Sequence, residues 1–501
     1  MNQNSTKIMF TNNLEKTSFS STFNIAIDSN VNIKTILNTH AYLYEEKIEC
    51  GKGKAVISAK LGVKVLYIDT DGISNTLTDS ISVSETISNP AITADSFINI
   101  LNSNVVTEII STDGVLKIAC ETTIQPVLYI NIPLNISILE NETLISKKDT
   151  VETNQISCFV NSMFKHTSTF ETSSNISKVL CVDSYFSPTQ ATAKSNSIYV
   201  EGKLHCCLVY ESNENDETKR KELQDTFNVA TEIQDISVSE QDLLDLQFSI
   251  DKSKENISTD FEDNNSIVTI SNEIKFCGVA IKKLPIEIVD DIFCTEHELN
   301  LSQQEREFTS ICNTKTISDN VYGEVVLTDK ENAIDEVISN LHITPEITNA
   351  YIKNDNLVFE GIISSHLCFV DETKQCNHKH LEIPFILNTK IELEHTEDIN
   401  YQIYVCDCKI KVKRGTIIEV DYSIQIVLNC YTKHRKSIID SVALGSKLNL
   451  KEYDYQIYLS HSGETMWELC KRIKISPEKL AETNKDLPLV MTGNEKVVIK
   501  R

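Results

Sequence analysis

Before residue 460, clear helical periodicity is rare. Apolar and polar positions alternate with a period of two instead, in fragments such as Ile424-Gln425-Ile426-Val427-Leu428. That alternation predicts half-buried β-strands. Val, Ile and Thr are abundant throughout, as pleated surfaces favour. Three stretches, Val115–Leu139, 267–289 and 417–439, each read as two strand-length runs. The pattern predicts a mainly β multidomain chain of antiparallel, sandwich-like domains. Only 13 Gly and 9 Pro occur in 501 residues, so Asn, Asp and Ser must supply most turns.

A long-period repeat runs through this region. Residues 197–210 and 356–369 both carry a Glu-Gly pair, Glu201-Gly202 and Glu360-Gly361, with the Gly eight residues before an aromatic. A weaker copy spans 53–67, where Ala59 stands in the place of the glycine. The aromatics Tyr67, Tyr210 and Phe369 are 143 and 159 residues apart. Such a period is a whole domain rather than a solenoid unit. The predicted organisation is a polar segment 1–30, a divergent first β domain 31–145, a second 170–295, a third 335–445 and a small module 453–501. Boundaries are expected near 145–175, 295–335 and 440–453. Two acidic polar stretches, 211–225 and 251–265, read as long loops inside the second domain.

After residue 453 the pattern changes. Ile457 and Leu459, and later Val497 and Ile499, alternate as strands do. Between them Met466, Leu469, Cys470 and Ile473 recur at helical spacing. Thr465 and Glu468 have capping-box spacing, and Ser476 with Pro477 suits the start of a second helix. The prediction is strand–helix–helix–strand.

Charge narrows the function classes. The chain has 72 acidic and 47 basic residues, a net charge of −25. That argues against nucleic acid and against anionic membrane surfaces. Residues 453–501 hold eight Lys/Arg and seven Asp/Glu, so the module is net +1 and the remainder −26. The first residues lack the basic start and apolar core of a signal peptide, and no apolar run is long enough to span a membrane. The 15 cysteines follow no framework spacing. These features together predict a cytoplasmic chain with reduced thiols.

Tandem β domains with an apolar-Glu-Gly-x-apolar strand followed by an aromatic resemble the SPOCS domain family of spore-forming bacteria. The C-terminal pattern resembles a LysM domain. Three such domains followed by a LysM are similar to the SipL-type family of spore-coat morphogenesis proteins. The resemblance implies a non-enzymatic mother-cell adaptor at the forespore surface. Its LysM would dock onto a SpoIVA-type coat ATPase, and its β domains would link other coat proteins. LysM domains in general hold N-acetylglucosamine chains in a shallow groove between two loops. Here those loops carry Ser462, Gly463, Glu464 and Thr465 on one side, and Asn484, Leu487 and Leu489 on the other. The groove could serve peptidoglycan glycan or be reused for a protein partner. Plain structural roles compete: Gly463 as a turn residue, Thr465 as a helix cap, Asn484 as a helix end. Trp467, the only tryptophan, reads as a core residue or an interface anchor. Lys471, Arg472 and Lys474 form a basic edge that could meet an acidic partner or simply be solvated.

Other chemistry is thin. His366, Cys368, Cys376, His378, His380, Cys406 and Cys408 are zinc-ligating types, but their spacing fits no familiar finger. Cys406 and Cys408 would share one strand face, and 376–380 reads as a polar loop. No phosphate-binding glycine loop or nucleophile elbow occurs. No metal, cofactor or catalytic residue is expected.

Overall fold

A computed structural model describes residues 3–13, 19–28, 33–111, 115–139, 143–172, 175–214, 217–259, 266–328, 331–353, 356–390, 398–449 and 455–500. The chain is mainly β, in several antiparallel sheets, with two short helices near its end. One strand order occurs three times. The first unit has opening strands β1 (Gln3–Asn13) and β2 (Phe19–Asp28) and a meander of β3 (Ile33–Gly51), β4 (Lys54–Asp69) and β5 (Ser74–Ser88). A short strand β6 (Phe97–Ser111) and a long closing strand β7 (Val115–Leu139) complete it. The second unit runs through β8 (Leu144–Thr172), the meander β9 (Ile176–Lys194), β10 (Ser197–Glu214) and β11 (Glu217–Gln234), then β12 (Leu243–Thr259) and β13 (Ser266–Cys294). The third repeats this with β14 (His297–Val326), β15 (Ile334–Lys353), β16 (Asn356–Asp371), β17 (Cys376–Lys390), β18 (Asp398–Lys413) and β19 (Ile417–Lys447).

In each unit the closing strand lies between the opening strand and the short strand. The meander packs its apolar face on that sheet. In the third unit Leu357, Phe359, Ile363 and Phe385 of the meander meet Val420, Tyr422, Ile424 and Ile426 of β19. The motif aromatics Tyr67, Tyr210 and Phe369 are all buried.

Three expectations change. First, each closing stretch is one strand, not two. Its first half lies between the opening and short strands; its second half runs on past the short strand with the opening strand still beside it, as Lys282–Cys294 does with Leu144–Gln155, and β7 and β19 touch there at Ser137 and Ser441. Second, the intervals 145–175 and 295–335 are therefore occupied largely by the strands β8 and β14, and the 1–30 segment contributes β1 and β2. Third, 211–225 and 251–265 fall largely within β10, β11 and β12. The described parts of both stretches register with a neighbour strand residue by residue, and Glu211, buried, is held by Arg220. Polar composition hid a pairing that neighbouring strands supply. Residues 215–216 and 260–265 lie outside the described residues.

The protruding halves of the closing strands gather into a second core. Leu134, Val151, Ile286, Ile288, Phe308 and Ile438, from β7, β8, β13, β14 and β19, form one cluster. At the other junction the three meanders meet through Leu37 and Leu66, Cys181 and Val209, and Leu341 and Cys368.

The Glu-Gly pair has a local cause. A Cβ on Gly202 would stand 2.6 Å from the Ser187 carbonyl oxygen and 2.3 Å from the Phe186 ring. One on Gly361 would stand 2.3 Å from the Glu346 oxygen and 2.4 Å from the Phe385 ring. Both glycines sit at a bulge of the preceding strand. In the first unit Glu45 and Glu46 bulge out opposite Ala59, and Glu45 takes a left-handed backbone, φ 53°. The wider bulge lets a methyl group occupy the glycine's place.

Candidate functional site

The C-terminal module follows the predicted order: β20 (Gln456–Leu459), α1 (Met466–Ile473), α2 (Pro477–Thr483) and β21 (Lys496–Ile499), with β20 antiparallel to β21. The caps form as the spacing requires. The Glu468 backbone N–H donates to Thr465 Oγ1 (3.2 Å), and the Thr465 N–H donates to Glu468 Oε2 (2.8 Å). Ser476 accepts from the Lys479 N–H at the start of α2. Leu469, Cys470, Ile473, Leu480, Val497 and Ile499 build the core, with Met466 partly buried against it. Ile457 and Leu459 take the opposite side of the small sheet and are exposed, which their alternation alone could not settle.

The two expected loops are joined. Gly463 N–H donates to the Met491 oxygen (2.8 Å), Met491 N–H to the Glu464 oxygen (2.8 Å) and Met466 N–H to the Leu489 oxygen (3.0 Å). Gly463 adopts φ 81° with open space around it, so it is a turn residue with a free face. Ser462 is exposed beside it.

Several of the expected contact residues are committed inside the module. Glu464 is buried and takes a bidentate pair from Arg472, 2.7 and 2.9 Å. That guanidinium holds the Glu464 carboxyl below its ordinary value. Thr465 is spent on its cap. Asn484 donates to the Val498 oxygen (2.6 Å) and accepts from the Val498 N–H (2.8 Å), so its amide closes the outer edge of β21 like one more strand residue. Leu487 is partly buried against the core. Leu489, 82% exposed, and its neighbour Val490, 56% exposed, remain as an apolar surface. Val490 would have been found by asking which residue pairs with the cap, since it bridges to Thr465.

Trp467 does not face outward. Its ring packs edge-on against Phe293 of β13 at 5.2 Å, and its Nε1–H donates to Asp291 Oδ2 at 2.7 Å. Lys471 reaches both oxygens of the same carboxylate, 2.6 and 2.8 Å. The expected basic edge is therefore largely neutralised within the chain, Lys471 by Asp291 and Arg472 by Glu464. Trp467 and Lys471 are the anchor that fixes the module to the β13 end of the body. Sequence spacing gave no sign of Asp291 and Phe293.

Burial pushes the Asp291 carboxyl up, but the bonds from Lys471 and Trp467 outweigh it and leave it below its ordinary value. A depressed carboxylate contributes stability above its unfolded pKa and loses it as the pH falls through the folded value. Trp467 emission should therefore shift to the red when the full chain is acidified through the carboxylate range. Asp291→Ala should show the shifted emission already at neutral pH. An unchanged emission maximum in a folded Asp291→Ala chain would show that the dock does not depend on this carboxylate.

The residues of zinc-ligating type are dispersed in use. His366 is half-buried and its ring lies 4.8 Å from His380; desolvation holds it down to about 3. Cys376 accepts from Arg220 Nη1 at 3.1 Å, and Cys368 is buried in the junction of the meanders. A bulge at Val405/Asp407 separates Cys406 from Cys408, breaking the expected shared face. Residues 376–380 open β17 rather than form a loop, because β16 pairs with them in register. Among the described residues no three His, Cys, Asp or Glu side chains gather on a common metal position. No helix among them is long and apolar enough to cross a membrane. No family model, curated protein or solved structure matches the chain.

Proposed function

We propose that the chain is a non-enzymatic scaffold in bacterial spore-coat assembly. Its LysM-like module docks onto a SpoIVA-type coat ATPase at the forespore surface in the mother-cell cytoplasm, and its SPOCS-like β domains hold other coat proteins. The observation that carries this reading is the division of labour in the module. Trp467 and Lys471 tie it to the chain's own body, while Leu489 and Val490 stay uncovered on the loop that faces Ser462 and Gly463. Paired exposed apolar residues beside polar backbone suit the centre of a protein interface.

The test uses the full chain, because Phe293 of β13 belongs to the module's core. The full chain should capture the SpoIVA-type ATPase in a pull-down, with purified peptidoglycan as parallel bait. A Leu489→Asp/Val490→Asp double variant should bind at least about thirtyfold more weakly, the scale of one interface hot spot. Capture of peptidoglycan alone would reject the adaptor reading in favour of the alternative, an N-acetylglucosamine-binding wall protein.

A further inference from the structure

The small sheet of the C-terminal module has one closed edge and one open edge. The Ser460 N–H donates to the Glu495 oxygen (3.1 Å), and the Asn494 N–H donates to the Ser460 oxygen (3.1 Å). Bonded positions alternate along an antiparallel pair, so Tyr458 and Gln456 also turn their backbone groups toward β21. Ile457 and its cross-strand mate Val498 turn theirs away from each other. On the far side the Asn484 amide meets the Val498 N–H and oxygen. On the near side, among the described residues, β20 pairs with β21 alone. Arg472 Nη2 donates to the Leu459 oxygen at 3.3 Å. The Ile457 N–H and oxygen and the Leu459 N–H line an edge with no neighbouring strand.

The side chains agree with the backbone. Tyr455, Ile457 and Leu459 are 63%, 68% and 53% exposed, and the alternation puts them on one face. Val498 and Lys496, register partners of Ile457 and Leu459, share that face. Edge strands are commonly guarded by a lysine, a proline or a bulge. Gln456–Leu459 carries none of these. Backbone donors and acceptors at strand spacing, flanked by exposed apolar side chains, are matched by another extended strand.

Two features select that strand. The edge is complementary to itself. In an antiparallel pair about a two-fold axis at Ile457, the Ile457 N–H of each copy meets the Ile457 oxygen of the other. The Leu459 N–H of each then reaches the Tyr455 oxygen of the other, and Leu459 lies beside the Tyr455 ring of the second copy. Val498, Ile457 and their counterparts form one apolar row across the joined sheet, with Lys496 in the flanking rows. Charge makes the same selection. Residues 453–501 are net +1 and the remainder −26, so two copies repel least through their modules. We propose that β20 is a self-association edge, pairing antiparallel with β20 of a second copy into a four-stranded sheet. The contact is far smaller than the ~800 Å² per partner of a standard interface, so the dimer is weak and depends on concentration. It uses neither Leu489 nor Val490 and does not rest on the adaptor reading.

The test is sedimentation velocity of the full chain at neutral pH, from micromolar concentration upward. The weight-average sedimentation coefficient should rise with concentration. Ile457→Lys sets like charges opposite each other at the axis and should weaken the dimer at least about tenfold. Trp467 emission at the wild-type maximum reports that the module is still folded and packed on Phe293. Two double variants at exposed positions read the register. Tyr455→Lys/Leu459→Glu faces opposite charges across the axis, and Tyr455→Glu/Leu459→Glu faces like charges. The first should dimerise at least about tenfold more tightly than the second. A coefficient independent of concentration would overturn the proposal, as would a concentration dependence that Ile457→Lys leaves unchanged. Equal affinities in the two double variants would overturn the antiparallel pairing about Ile457.

Discussion

Asp183→Asn should cost about 3 kcal/mol of stability near neutral pH, the low end for breaking one partner of a buried ion pair. At the junction of the meanders, His342 Nδ1 lies 3.4 Å from Asp183 Oδ1, and the His342 backbone N–H donates to Asp183 Oδ2 at 2.6 Å. Their side chains are 7% and 15% exposed. The His40 ring stacks on His342 at 3.7 Å, with His366 and Lys64 also facing it. Burial opposes the His342 charge, but the Asp183 carboxylate overrides it and raises His342 to about 10. Burial pushes Asp183 up, and the His342 cation more than reverses that, holding it below the carboxylate range. His40 is held far below its ordinary value, by burial first and then by the His342 cation.

These shifts set a pH profile. A raised histidine contributes stability fully below its unfolded pKa, roughly 6.5, and loses it as the pH climbs to the folded value. His342 therefore makes the chain weaker from neutral pH towards about 10. Depressed histidines act the other way. His40, His205 (about 4) and His366 (about 3) favour the unfolded chain as the pH falls below roughly 6.5. Urea midpoints should be highest near neutral pH and fall on both sides. In Asp183→Asn the alkaline decline should flatten, since His342 no longer holds its extra proton. A variant with the wild-type midpoint and the wild-type alkaline decline would refute the pair's role.

Gly361→Ala and Gly202→Ala should each cost about 1–3 kcal/mol, the usual range for overpacking a core, and Gly361→Ala leans to the upper end. The obstacles are the Glu346 and Ser187 backbone oxygens, held in their strands, together with the Phe385 and Phe186 rings. Neither oxygen can swing away as a surface side chain would. The first unit supplies the control. Ala59→Gly only removes a methyl group that the Glu45–Glu46 bulge already accommodates, so it should cost no more than about 1 kcal/mol. Denaturation midpoints of the three variants should rank in that order. Equal midpoints would mean that the Glu-Gly pair has no steric basis.

The division between what could be read early and what could not follows from the range of the forces. The C-terminal module was legible because its caps, apolar face and Pro477 act within three or four residues of one another, so spacing along the chain is spacing in space. The β character and the Glu-Gly pairs were legible for the same reason: alternation is local, and so is the absence of a side chain. The acidic strands β11 and β12 were not, because a strand with polar outer faces is stabilised by backbone pairing to a neighbour that the chain supplies elsewhere. That Glu464, Thr465 and Asn484 brace the module from within was only partly legible, since a polar side chain shows its partner only once the loop has closed on it.

What the sequence by itself determined about this protein is a mainly β chain built from repeated units, ending in a strand–helix–helix–strand module. Only the tertiary structure decided that the closing strands run on past their own sheets and that Trp467 turns inward onto Asp291. It alone brought His40, Asp183 and His342 together. Each of those is a contact between residues more than a hundred positions apart. Such contacts depend on the three-dimensional path of the backbone, which no periodicity along the chain encodes.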